Sequence, residues 1–145
     1  MLEMKHILVP VSAADESMQA LSFAAEMAQI YDASLSLLLV TYFDEHTDGQ
    51  KTAKSWLSSS LTGSVSRYTH AVFTKAAAHL PSGMSASYYH VSGQPQQKIL
   101  EFAQANHTDL IIMSCRRLSF LDTLIGGSVS RHILEKSKCP VIIVK

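Results

Sequence analysis

Eighteen residues near the carboxyl end, SCRRLSFLDTLIGGSVSR from Ser114 to Arg131, hold the densest set of groups able to act on a ligand. Gly127 and Ser128 open a helical pattern that Val129 continues. Backbone N–H groups at such a helix start, with the positive end of its dipole, attract an anion such as phosphate. Arg116 and Arg117 add two guanidinium groups that can grip phosphate oxygens in pairs. They also crowd the approach, because a loop that wraps phosphate uses glycine for positive φ and close backbone contact. Cys115, beside both arginines, is a candidate reactive thiol, with an inert thiol at a strand end as the plain alternative.

Elsewhere the chemistry is sparser. Ser12 lies near Asp15 and Glu16, but no base is placed to activate it, so a helix N-cap within Ser12-Ala13-Ala14-Asp15 is the expected role. Seven histidines (His6, His46, His70, His79, His90, His107 and His132) show no metal-ligand spacing with a second His, Cys or acid. They are read as structural or surface residues, and no metal is expected. No water-activating base stands at a defined place, so the reading is non-enzymatic. The hydroxyl-rich stretch SWLSSSLTGSVS, from Ser55 to Ser66, reads as a solvated helix face or a phosphorylation segment, with Trp56 and Leu57 as core or interface residues.

These groups need elements to hold them. Five apolar runs read as strands: His6 to Val11, Leu35 to Tyr42, Ser87 to Val91 (the weakest), Leu110 to Met113 and Val141 to Val144. Continuous rather than alternating apolar character belongs to a parallel sheet covered on both faces. Between them, Asp15 to Tyr31 places Met18, Leu21, Ala25 and Ala28 on one stripe. Leu57, Leu61, Val65, Tyr68 and Val72 step by three or four through a longer helix that Gly63 interrupts. Pro95 starts a third helix with Ile99, Leu100 and Ala103 inward. The fourth, from about Gly127 to Ser137, turns Val129, Ile133 and Leu134 to the core. The β-α alternation predicts an α/β fold, one domain over residues 1–145, with a five-stranded, mainly parallel sheet and helices on both faces. Ligands in such folds sit beyond the carboxyl ends of the strands, where the winding reverses. The candidate positions are therefore Val11, Ser12, Val40, Thr41, Ser114, Arg117, Gly127, Ser128 and Val129. The polar stretch from Asp44 to Lys54 reads as a surface loop.

Composition narrows the class. In 145 residues, 47% are apolar and twelve basic residues balance twelve acidic ones. That excludes disorder and gives no field favouring nucleic acid or an anionic membrane. No apolar run nears the roughly 20 residues of a membrane span, and the amino terminus is a poor secretory signal. Two unpatterned cysteines, Cys115 and Cys139, fit a reduced, cytoplasmic setting.

Four ordered segments then carry a resemblance to the universal stress proteins of the UspA type. They are HILVPVS with the following Glu16-Ser17, ASLSLLLV from Ala33, the Gly93-Gln94-Pro95 turn, and TDLIIMS with GGSVSRHILEKSKCPVIIV from Gly126. The resemblance implies a strand order of 3-2-1-4-5 and a homodimer paired through the last strand, Val141, Ile142, Ile143 and Val144. It also implies stress-response action through an adenine nucleotide (ATP, ADP or AMP) or through a protein partner. The ATP-binding branch carries G-x-x-G, nine residues, then G-S or G-T. Aligned on Gly127 and Ser128, the first two glycines of that pattern fall on Ser114 and Arg117. An aspartate expected after the first strand falls on Ser12. A degraded phosphate loop is the expectation, with Arg117 in place of a glycine as the feature a retained nucleotide site would have to use.

Overall fold

In the computed structural model of the chain, residues 3–41, 54–115 and 129–145 are described, with residues 54–64 as backbone only. Tyr42, the polar stretch from 44 to 53, Arg116, Arg117, Gly127 and Ser128 lie outside the described residues, as do the side chains of Trp56, Leu57 and Leu61.

The elements run β1 (His6–Pro10), α1 (Asp15–Tyr31), β2 (Ser34–Thr41), α2 (Lys54–Ala78), β3 (Ser87–Ser92), α3 (Pro95–Ala105), β4 (Leu110–Ser114), α4 (Val129–Lys136) and β5 (Val141–Val144). The strands form one parallel sheet in the order β3-β2-β1-β4-β5, as the resemblance implied. Alternate side chains on each strand feed two cores. Ile7, Val9, Leu35, Leu37, Leu39, Leu110 and Ile112 pack with α1 and with Val72 and Ala76 of α2. Leu8, Leu38, Ile111 and Met113 pack with Ile99 and Ala103 of α3 and Ile133 of α4. Each large side chain buried this way contributes about 1.5–3 kcal/mol, so helices on both faces are the arrangement that covers both sides of the central strands.

The first helix occupies the expected residues and buries the expected stripe of Met18, Leu21, Ala25 and Ala28. Four expectations are corrected. The second helix runs unbroken through Gly63, because one glycine costs only about 1 kcal/mol in a helix interior. Leu134 is 52% exposed rather than inward, since the buried face of α4 is set by Ser130 and Ile133 and Leu134 lies about 100° round the helix from Ile133, at the margin of that face. Val11 lies one residue past β1, yet it is buried and its N–H donates to Leu38 O at 2.9 Å. The third strand is not covered on both faces: it sits at the sheet edge with almost every residue exposed.

The amino ends of the strands are tied by side chains. Asp109 Oδ2 accepts the backbone N–H groups of Lys5 and His6 at 2.9 Å each. The Ser34 hydroxyl donates to Lys5 O at 3.0 Å, which leaves its oxygen to accept from His6 Nδ1 at 2.7 Å. This end is consumed by structure, and the opposite end remains for a ligand.

Candidate functional site

From β1 the chain winds outward through β2 to β3, then returns across the sheet so that β4 lies on the other side of β1. The helices that follow β1 and β4 carry the chain in opposite directions along the sheet, so they part at the carboxyl ends of these two strands, and the fold has an opening there. A cavity of about 500 Å³ occupies it, within the range of roughly 300–1,000 Å³ typical of small-molecule sites. Its walls are Pro10, Val11 and Ser12 after β1, Leu38 to Val40 of β2, and Met113 and Ser114 of β4. Helices close it with Ser17 of α1, Tyr68 of α2, Pro95 and Ile99 of α3, and Val129 of α4.

Of the positions expected from sequence, Val11, Ser12, Val40, Ser114 and Val129 therefore meet at one cavity. Thr41 does not. Side chains alternate faces along a strand, so Thr41 points away from Val40. It is buried at the β2–β3 edge, with Oγ1 2.9 Å from His90 Nε2 and 3.0 Å from Ser92 Oγ. Its carbonyl accepts the N–H of Gly93 at 2.9 Å, so this residue staples β2 to the turn before α3. Gly93 adopts φ +143°, a conformation side chains rarely take, and it lets the chain turn sharply into Pro95 at the start of α3.

The loop after β1 is organised without an N-cap side chain. The capping position is Ala14, which makes no side-chain hydrogen bond. Ser12, expected among the capping candidates, instead uses its Oγ to accept the Ala14 N–H at 3.3 Å. Ser17, in the first turn of α1, reaches back: its buried Oγ accepts the Ser12 N–H at 2.8 Å. Two short serines thus hold the backbone at the cavity rim. From α2, Lys75 Nζ donates to Ala13 O at 2.9 Å and to Asp15 Oδ1 at 3.0 Å. That hydrogen bond and the charge of Lys75 hold the Asp15 carboxyl below its ordinary pKa of 3.8.

The described walls carry hydroxyls and hydrocarbon and no charged side chain. Such a lining suits the uncharged part of a ligand, a ring and its hydroxyls, and leaves any anionic part to the rim near Val129, where α4 begins. Sequence reasoning missed Ser17 and Tyr68. Ser17 had a usable signal, because a hydroxyl in the first turn of a helix commonly bonds the preceding backbone. Tyr68 had none, since its spacing matches the buried stripe. The structure leaves it 42% exposed at the cavity wall.

Comparison with known proteins agrees with this architecture. Over 97% of its length the chain is 28% identical to a universal stress protein of Methanocaldococcus jannaschii, covering 82% of that protein. Over 96% it is 29% identical to the universal stress protein YxiE of Bacillus subtilis, covering 97% of it. Among solved structures, a universal stress protein in complex with cAMP superposes with a TM-score of 0.76 at 19% identity, over 99% of this chain and 98% of that one. A universal stress protein of Archaeoglobus fulgidus in complex with dAMP gives 0.60 at 18% identity over the full length of both chains. The family model matches from residue 3 to residue 145, and with the sheet order and the segments quoted above this shows that the chain belongs to the universal stress protein family.

Proposed function

We propose that the protein is a non-enzymatic binder of an adenine nucleotide of monophosphate size, such as AMP or cAMP, and acts in stress response as a cytoplasmic homodimer. The observation that carries the reading is the cavity of about 500 Å³ at the winding reversal, walled by Val11, Ser12, Val40, Ser114 and Val129 and free of charge among its described residues. A nucleoside fits that lining. The relatives solved with cAMP and dAMP support the ligand class. The size limit follows from Ser114 and Arg117 standing where a triphosphate loop has glycines: a Cβ at such a position blocks the backbone's approach to phosphate. For the dimer, β5 supports the reading. Among the described residues it lies at the sheet edge with four half-buried apolar residues and one unpaired side, which a second copy would complete.

Isothermal titration calorimetry with AMP, cAMP and Mg-ATP tests the reading. Saturable micromolar binding, about −8 kcal/mol, is expected for the monophosphates, with ATP at least tenfold weaker. Arg117→Gly is expected to narrow that gap. Tighter binding of ATP than of AMP would refute the degraded loop, and no binding of any of the three would refute the ligand class.

A further inference from the structure

We infer that Tyr68 is the residue that selects the ligand's base, offering its ring as a face on which a planar heterocycle stacks; this rests on the nucleotide reading above. Three observations carry it. Tyr68 is the one aromatic among the described residues of the cavity wall. On the same helix Val72 and Ala76 are fully buried, whereas Tyr68, one turn earlier, is 42% exposed. Burial of α2 against the core is carried by Val72 and Ala76, and the Tyr68 ring borders the cavity partly exposed. The same cavity is lined by aliphatic and thioether side chains, Val11, Leu39, Val40, Ile99 and Met113. An aromatic ring bordering a cavity with apolar walls favours a flat, weakly polar group, and a polarisable thioether such as that of Met113 adds to that preference. A sugar phosphate gains little from these apolar side chains, because its hydroxyls and charge lose water beside them without finding partners there. The base is therefore the part of the ligand that Tyr68 distinguishes.

The test measures binding of AMP, adenosine and ribose 5-phosphate to the wild type, Tyr68→Leu and Tyr68→Phe. Tyr68→Leu is expected to weaken AMP and adenosine by about tenfold or more, the usual effect of losing one stacking ring. Ribose 5-phosphate should change by less than about twofold, and Tyr68→Phe should retain AMP binding within about threefold, since the ring is what acts. Undiminished AMP binding by Tyr68→Leu, or an equal loss for ribose 5-phosphate, overturns the assignment while leaving the nucleotide reading intact. Failure of the wild type to bind AMP or adenosine overturns both. An unchanged melting temperature confirms that Tyr68→Leu is folded, as expected for an exposed side chain.

Discussion

The Ser17→Ala substitution isolates the contact that shapes the cavity rim. Ser17 is 1% exposed and its Oγ accepts the Ser12 N–H at 2.8 Å. Alanine removes that acceptor and leaves a half-buried backbone donor behind. A hydrogen bond of this kind is worth about 1 kcal/mol net, and a stranded donor costs about 1–3 kcal/mol where water cannot replace the partner. The cavity adjoins Ser12, so solvent can reach the N–H and the lower end applies. The helix-forming advantage of alanine, about 0.5 kcal/mol in a helix interior, is small at this first-turn position. The expected loss is about 1 kcal/mol, or about 3 °C in melting temperature for a chain of this length. Ser12→Ala is the matched control. It keeps the Ser12 N–H and its bond to Ser17, and loses only the 3.3 Å bond from Ala14. Its expected drop is about 1 °C. Differential scanning calorimetry of both variants decides the point. Equal losses, or a larger one for Ser12→Ala, would refute the view that Ser17 holds this loop.

Three further outcomes are expected. Gly93→Ala should cost about 1–3 kcal/mol by chemical denaturation, because φ +143° strains any side chain there; the added Cβ would also meet Lys98 Cε at 2.6 Å, though that flexible side chain can move aside. Asp15 has a lowered carboxyl pKa, so its stabilising effect is present above the ordinary 3.8 and fades as pH falls through the depressed value. The melting-temperature difference between wild type and Asp15→Asn should therefore be small near neutrality, the carboxyl being 91% exposed, and vanish in strong acid. It should also be absent in a Lys75→Met background. In β5, Pro140 O and Val144 O accept bonds from β4, so residues 141 and 143 direct their backbone groups to the free edge. Ile143→Pro should then spare the sheet but block pairing with a second copy. Light scattering is expected to give about twice 15.9 kDa for the wild type and 15.9 kDa for the variant.

Much of the fold was legible from sequence, because burial imposes a pattern. Strands covered on both faces must be apolar throughout, and the runs around Leu8, Leu38 and Ile111 announced this without reference to their neighbours. Helix α1 was legible to the residue, since its stripe of Met18, Leu21, Ala25 and Ala28 has no rival period. Strand order and family followed from quoted segments rather than from any local preference. The tertiary structure decided what each surface position faces. Tyr68 has the spacing of a core residue but borders the cavity, so its period is satisfied and its ring stays partly exposed. Thr41 ends the strand that supplies the cavity's Val40, yet the pleat turns it toward His90 and Ser92. Ser17 and Ser12 find each other only once the chain bends after β1. Periodicity records whether a side chain is buried. Which neighbour buries it depends on contacts between residues far apart in the chain, and those exist only after the sheet has assembled.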